Sequence, residues 1–358
     1  MIQLANARLT TLDYARLPAD ELVERVSRRK AELNAVILGH NYQRIEIQAV
    51  SDFIGDSLGL SQEAAETDAD VIVFCGVHFM AETAKILSPE KTVLMPDLRA
   101  GCPMADFVTG DSLRRLKAKH PGAAVVAYVN STAEVKAESD ICCTSSNAVD
   151  VVNSFAADRT ILFVPDRNLA QYAAERTGRK YATAGQEGAN VEPGTLIGWD
   201  GYCYVHDDLV LDELATARGR YPDAKVVIHP EARRELLDQA DFVTSTAKMV
   251  QIAEEHDSLI LGTERGLVDR LRERFPEKTL IPLSGAAICG NMKMNTLPKL
   301  AWSLDNLEHE VVLDEEIRQR ADVALRRMLD LSGGWRAPTP LEADMELAGI
   351  RAPGCGCA

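Results

Sequence analysis

One template, written three times, constrains this chain more than any other feature. The stretches AVILGHNYQRIEIQAVSDFIGDS from Ala35, AAVVAYVNSTAEVKAESDICCTS from Ala123 and AKVVIHPEARRELLDQADFVTST from Ala224 share one plan. Each runs from a short apolar strand into a polar tip, through a helix-like segment, and into a second apolar strand that ends in small hydroxyl residues. Counting from His40, Tyr128 and His229 as the tip, a second polar side chain follows two places on (Tyr42, Asn130, Glu231). An aspartate follows twelve on (Asp52, Asp140, Asp241) and a hydroxyl seventeen on (Ser57, Ser145, Thr246). Self-similarity at a long fixed period means several copies of one supersecondary unit, here three.

The copies extend further. A third strand follows in VIVFCG, ILFVPD and LILGTE, and a fourth in KTVLMPD, GTLIGWD and KTLIPLS. Shortly after each fourth strand comes one cysteine: Cys102 in RAGCP, Cys203 in DGYCYVH and Cys289 in AAICGN. Strands that are apolar throughout and separated by helical stretches indicate parallel sheets covered on both faces. The expected fold is therefore α/β: three similar small three-layer αβα units with parallel sheets, arranged with pseudo-threefold symmetry around a central cavity. The units are read as 1–106 with an irregular lead-in to about residue 18, then 107–207, then 208–295, with a C-terminal helical tail at 296–358. In the first unit the pattern predicts strands near 35–39, 52–55, 71–75 and 92–95, and helices at 43–50, 58–66 and 78–87. A helix is expected at 169–179, an inserted loop at 185–194, and in the tail a helix at 315–331 followed by a loose end.

A length of 358 residues exceeds what one core ordinarily supports and suits three units. The formal charge of -15 and the lack of basic stripes argue against nucleic acid or an anionic membrane as partner. There is no apolar run of about 18 residues to span a bilayer. The N-terminus lacks a basic start followed by an apolar block, so a cytoplasmic location is expected, with cysteines reduced or metal-bound rather than paired.

Ligands of parallel sheets bind beyond the carboxyl ends of the strands, where the tips and hydroxyls fall. Ser57, Ser145 and Thr246 precede helical runs, so each can cap a helix whose N-terminal N–H groups hold a carboxylate or phosphate. Any one alone reads as an ordinary cap; three in matching places do not. Cys102, Cys203 and Cys289 are too far apart in sequence for a zinc ribbon or a ferredoxin pattern. As one thiol per unit they form a trio suited to a 4Fe-4S cluster with one open iron, or to a zinc with an open fourth position. Cys75, Cys142 and Cys143 lie in apolar strand ends and read as structural, while Cys355 and Cys357 in the Gly-rich tail stay unassigned. His40 and His229 at tips, beside Tyr42 and Glu231, read as acid-base equipment, and His206 lies three residues after Cys203. Neither a Walker loop nor a well-placed GxGxxG is present.

Together GHNYQ at 39–43, GDSLGLS at 55–61, FCGVHFMAETAKIL at 74–87, PDLRAGCPMAD at 96–106, YVNSTAEVKAESDICCTSSNA at 128–148, GYCYVH at 201–206, HPE at 229–231 and CGNMKMNTL at 289–297 resemble the quinolinate synthase family. The resemblance covers about residues 30–300. It implies a transferase-type enzyme of NAD biosynthesis that condenses iminoaspartate with dihydroxyacetone phosphate, losing phosphate and water, with a functional link to L-aspartate oxidase. It implies that Cys102, Cys203 and Cys289 bind a 4Fe-4S cluster whose open iron acts as a Lewis acid. His40, Ser57, Tyr128, Asn130, Ser145, His229, Glu231 and Thr246 would line the substrate site, with Tyr42, His206, His229 and Glu231 as catalytic groups. A CxxCxxC around the last ligand, found in some members, is absent here, so a thiol switch of that kind is not expected. Two other readings have less behind them. An iron-sulfur sensor or carrier would call for a fourth protein ligand and an apolar cavity, and an aconitase-like hydro-lyase has no motif here.

Overall fold

A computed structural model describes residues 9–186 and 191–332 of the chain. Among the described residues the apolar runs form thirteen strands: β1 Ala35–His40, β2 Phe53–Gly55, β3 Val71–Cys75, β4 Thr92–Leu94, β5 Ala124–Tyr128, β6 Ile141–Cys143, β7 Ile161–Val164, β8 Tyr181–Thr183, β9 Leu196–Gly198, β10 Lys225–Ile228, β11 Phe242–Val243, β12 Ser258–Gly262 and β13 Thr279–Pro282. They build three parallel sheets, ordered β2-β1-β3-β4, β6-β5-β7-β9-β8 and β11-β10-β12-β13. The repeat in sequence is thus a repeat of topology, since each sheet carries the template's first strand inside, its second at one edge, and the third and fourth beyond. Register repeats as well: Leu38 pairs with Phe53, Val126 with Ile141 and Val227 with Phe242. Central strands such as β3, β5 and β7 are buried along their whole length, as expected of sheets covered by helices on both faces.

The second unit departs from the template by one strand. β8 pairs in parallel with β9 at the sheet edge. Its three residues are only half buried, so no apolar alternation announced it. The inserted segment that follows is described except at residues 187–190.

The template's aspartates lock each sheet. Asp52, Asp140 and Asp241 each accept from a backbone N–H of the central strand, those of Ile37, Val125 and Val226, all at 2.8 Å. Their own N–H groups donate back to the carbonyls of the same three residues at 2.9, 3.0 and 2.9 Å. This two-point clasp explains the fixed offset of twelve, because the helical segment between tip and clasp must always have the same length. In all three units that segment closes as a single turn, Ile45–Gln48, Ala133–Ala137 and Arg234–Leu237, shorter than the helix expected at 43–50.

The lead-in is less irregular than expected. Thr10 and Asp13 form a capping box on a one-turn helix, Thr11–Tyr14. The helix Ala19–Glu32 follows, with acidic residues in its first turn and basic ones in its last, the order its dipole favours. Beyond the repeat, Leu297–Asn306 packs beside it, and Leu22, Val26, Leu300 and Leu304 cover Ile37 and Val73 of the first sheet. The expected tail helix is present as Glu315–Leu331, capped by Asp314, and lies against the first two units: Arg318 donates to the Ile86 carbonyl at 3.4 Å, Arg320 to Glu138 at 2.6 Å and Arg327 to the Asp140 carbonyl at 2.7 Å. Cys355, Cys357 and the expected loose end lie outside the described residues. Among the described residues no helix is long and apolar enough to cross a membrane.

Candidate active site

The carboxyl ends of all three sheets open onto one cavity. Every candidate from the sequence lines it: His40, Tyr42 and Ser57 from the first unit, Tyr128, Asn130 and Ser145 from the second, His229, Glu231 and Thr246 from the third, with His206, Cys102, Cys203 and Cys289. Among the described residues no lysine or arginine does so.

The cysteines are held there by a repeated bond. The residue that opens the helix after each third strand donates its backbone N–H to the carbonyl two places before the cysteine. His78 donates to Ala100, Arg167 to Gly201 and Arg265 to Ala287, each at 2.8 Å. Gly201 is needed for this approach, since a Cβ there would stand 2.5 Å from the Pro165 carbonyl oxygen. Tyr204 ties two of the segments together, for its hydroxyl accepts from the Gly290 N–H at 3.0 Å and bonds the Cys289 sulfur. Burial pushes all three thiols up, Cys102 to about 12. Metal binding, which needs thiolates, must therefore release protons here.

The two tip histidines are alike. The backbone N–H of Tyr42 donates to Nδ1 of His40 at 3.2 Å, and that of Glu231 to Nδ1 of His229 at 3.4 Å. A backbone N–H can only donate, so both rings accept at Nδ1 and carry their hydrogen on Nε2. Burial keeps both neutral by lowering each to about 3. His229 then donates from Nε2 to Ser145 Oγ at 3.2 Å.

Around Glu231 a chain of hydrogen bonds crosses all three units. Tyr128 donates to one carboxylate oxygen at 2.5 Å, and His206 Nδ1 lies 2.7 Å from the other. Because a carboxylate only accepts, Nδ1 carries a hydrogen, and two hydroxyls lie within hydrogen-bond reach of Nε2. Tyr42 Oη lies 3.3 Å and Thr263 Oγ1 3.1 Å from that nitrogen. His206 also stacks on His229 with ring centroids 4.4 Å apart. Burial works to raise Glu231, but the hydrogen bonds from His206 and the Tyr128 hydroxyl hold it below the usual range, as a carboxylate. Burial, then the Glu231 charge, push both tyrosines well up, so they stay protonated.

The capping expectation is corrected. The cap of Ser57–Glu66 is Asp56, which accepts from the Gly59 N–H, and Ser57 is the first helical residue. Ser245 holds the cap position of Thr246–Glu255, again leaving the hydroxyl at the first helical residue. Ser145 stands before Asn147, the cap of Ala148–Asn153. A side chain at the first helical position is not spent on its own helix, so these hydroxyls stay available to a ligand. Asn130 Oδ1 is buried and accepts no bond from the described residues. Sequence reasoning missed Asn41 and Thr263. Thr263 directly follows the third strand in LILGTE, where a polar end to an apolar run was the available signal.

Among the described residues one group of ligand atoms lies within 4.8 Å of one another, those of Cys203, His206 and Glu231. Cys102, Cys203 and Cys289 do not form such a group.

Comparison with known proteins bears on this site. The model of the Quinolinate synthetase A protein family matches residues 24–330. A quinolinate synthase of Dehalococcoides mccartyi is 53% identical over 307 residues, covering 85% of this chain and 96% of the relative. One from Desulforudis audaxviator is 49% identical over 315 residues, covering 87% and 99%. Quinolinate synthase 1 of Methanosarcina acetivorans is 49% identical over 311 residues, covering 86% and 97%. The range matched by the family model runs through all three sheets and every cavity-lining segment, and the chain belongs to the quinolinate synthetase A family.

Proposed function

We propose that this chain forms quinolinate from iminoaspartate and dihydroxyacetone phosphate, with loss of phosphate and water, as a step of NAD biosynthesis. The observation that carries the reading is the meeting of one cysteine and one set of strand-end polar groups from each unit at a single cavity. We read the units as 1–106, 107–207 and 208–295, related by a pseudo-threefold axis through that cavity, with 296–358 appended.

Cys102, Cys203 and Cys289 would hold a 4Fe-4S cluster. The donor set fits. Three thiolates on one zinc, with Zn–S bonds of about 2.3 Å, would stand about 3.8 Å apart. The three sulfurs are not grouped so closely, whereas a cluster spreads them over three irons. Cys75, Cys142 and Cys143 are fully buried in strands and supply no fourth ligand to the cavity. When bound, such a cluster offers an open iron that polarises oxygen groups and assists loss of water. The group Cys203, His206 and Glu231 favours a different reading, a single ion. Yet His206 Nδ1 carries the hydrogen that Glu231 accepts, so both ligand atoms are already engaged with each other.

The protein's own groups bind anions and move protons. Both substrates are anionic, and the cavity meets them with neutral donors: Nε2–H of His40, the Asn130 amide, the hydroxyls of Ser57, Ser145 and Thr246, and the helix ends that begin at Ser57 and Thr246. Such donors hold carboxylate or phosphate without trapping it as a buried ion pair would. Glu231 is the base that accepts a proton as the carbon–carbon bond forms. The His206–Tyr42 chain on one side and Tyr128 on the other return that proton as water leaves. We place the protein in the cytoplasm, with iminoaspartate supplied by an L-aspartate oxidase. Anaerobic purification with iron and sulfide analysis, followed by an assay for quinolinate, tests the reading. A full complement of zinc without sulfide, or no quinolinate from the loaded protein, would overturn it.

A further inference from the structure

Asn41 lies one residue past the first tip, where the other units carry Val129 and Pro230 and the repeat is silent. It is only 1% exposed. Its Nδ2 donates to Thr246 Oγ1 across the unit boundary at 3.1 Å, and its Oδ1 accepts from Arg270 at 3.0 Å. A guanidinium has no acceptor, so Arg270 fixes which end of the amide faces it, and the amine end is left for Thr246. The backbone is held too: the Asn41 N–H donates to the Gly55 carbonyl at 3.0 Å, and its carbonyl accepts from Gln48 at 3.3 Å. Thr246 Oγ1 therefore receives a hydrogen bond, and its own hydrogen has no acceptor among the described residues although the side chain lines the cavity. Ser145 is set up the same way, receiving a hydrogen from the neighbouring unit's His229.

We infer that Asn41 and Arg270 are positioning residues that orient Thr246 as an obligate donor to an acceptor-only group of the substrate, a carboxylate or phosphate oxygen. The inference rests on the reading that Thr246 touches substrate. Without Arg270 the amide can turn over and present Oδ1, which would take the hydroxyl's hydrogen and leave a lone pair facing the anion. The arrangement favours an acceptor at this place, since a ligand that only donates would leave the Thr246 hydrogen unpaired.

Asn41→Asp separates this role from a structural one. The aspartate keeps the shape and forms an ion pair with Arg270, so folding is preserved, but its second oxygen accepts from Thr246 and reverses the hydroxyl. In the cluster-loaded enzyme, Thr246→Ala should raise KM for one substrate by about tenfold or more, the loss expected for a bond to a charged acceptor. Asn41→Asp should raise the same KM comparably, with kcat, iron content and melting temperature near wild type. The double variant should be no worse than Thr246→Ala alone, since both act through one hydroxyl. Arg270→Met should show part of the effect and Arg270→Lys less. If the Asn41→Asp and Thr246→Ala effects multiply, the added charge acts on its own and the inference falls. It falls also if Asn41→Asp leaves KM at wild type where Thr246→Ala raises it. A wild-type KM in Thr246→Ala removes Thr246 from the substrate, and the inference with it, while quinolinate formation stands.

Discussion

The carboxyl ends of the three sheets and the turns that enter their second strands carry the same threefold repeat and put it to opposite uses. At the turns, identical residues do identical work: Asp52, Asp140 and Asp241 each clasp one backbone group at one distance. At the strand ends, matching positions hold different residues. Tyr42, Asn130 and Glu231 share one offset, yet one supplies a phenol, one an amide with an unpaired oxygen, and one a carboxylate. Uniformity marks what every unit needs to close its own sheet. Divergence marks what only the assembled cavity needs, where three different groups meet and, as we propose, act on one substrate.

The cysteines test the comparison from its extreme, because they are identical in all three units and still belong to the cavity. Replacing Cys102, Cys203 or Cys289 by Ala should abolish the cluster, while Cys75→Ala, buried in β3, should leave iron and sulfide content intact. Full cluster content in any of the three ligand variants would detach that cysteine from the site. The next largest effect is expected at Glu231. Glu231→Gln keeps the shape and removes the proton acceptor, so the cluster and substrate binding should survive while turnover falls by about 10²-fold to 10⁴-fold. Were Glu231 serving only to brace the tip, melting temperature would drop and turnover would stay within a few-fold.

Much of this was legible in the chain because strand-end residues are neighbours in sequence as well as in space. The offsets of two and seventeen named tips and hydroxyls that line the cavity, the offset of twelve named the aspartates that clasp the sheets, and one thiol per unit named the three cysteines that line the same cavity. Three things were hidden, each for a physical reason. Asn41 carries no repeat signal, since its partners Arg270 and Thr246 are more than 200 residues away in the chain. The helix caps shifted by a residue because Asp56 and Ser245 stand just before the hydroxyls, and pattern alone cannot choose between adjacent small polar residues. β8 is too short and too exposed to show a period.

Smaller effects sharpen the contrast between the two regions. Ser57→Ala and Ser145→Ala should weaken substrate binding by about 1 to 3 kcal/mol without lowering the melting temperature, since neither hydroxyl caps its helix. The aspartates should behave in the opposite way. Asp52→Ala and Asp140→Ala should each lose about 1 to 3 kcal/mol of stability with KM unchanged, because the clasped N–H of the central strand is left without its acceptor. Raised KM values in the aspartate variants, or lowered melting temperatures in the serine ones, would erase the distinction.

The smallest effect expected is a pH dependence at Asp241. Its side chain is 32% exposed and lies 3.2 Å from Lys225. Burial works to raise its carboxyl, but the Val226 N–H and Lys225 outweigh this and hold it below the ordinary value. A carboxyl lowered on folding stabilises the protein above its unfolded value, about 3.9, and that contribution is lost as pH falls through the folded one. Asp241→Asn keeps an acceptor for Val226 and removes the charge. The wild type should therefore exceed the variant in stability at pH 7, with the gap closing as the medium is acidified towards pH 3. With this much exposure, solvent screening keeps the gap under about 1 kcal/mol, and added salt should narrow its Lys225 share. Urea unfolding of both proteins across that range reads the gap directly. A difference that stays constant with pH would mean that the third clasp works by hydrogen-bond geometry alone and that its charge contributes nothing.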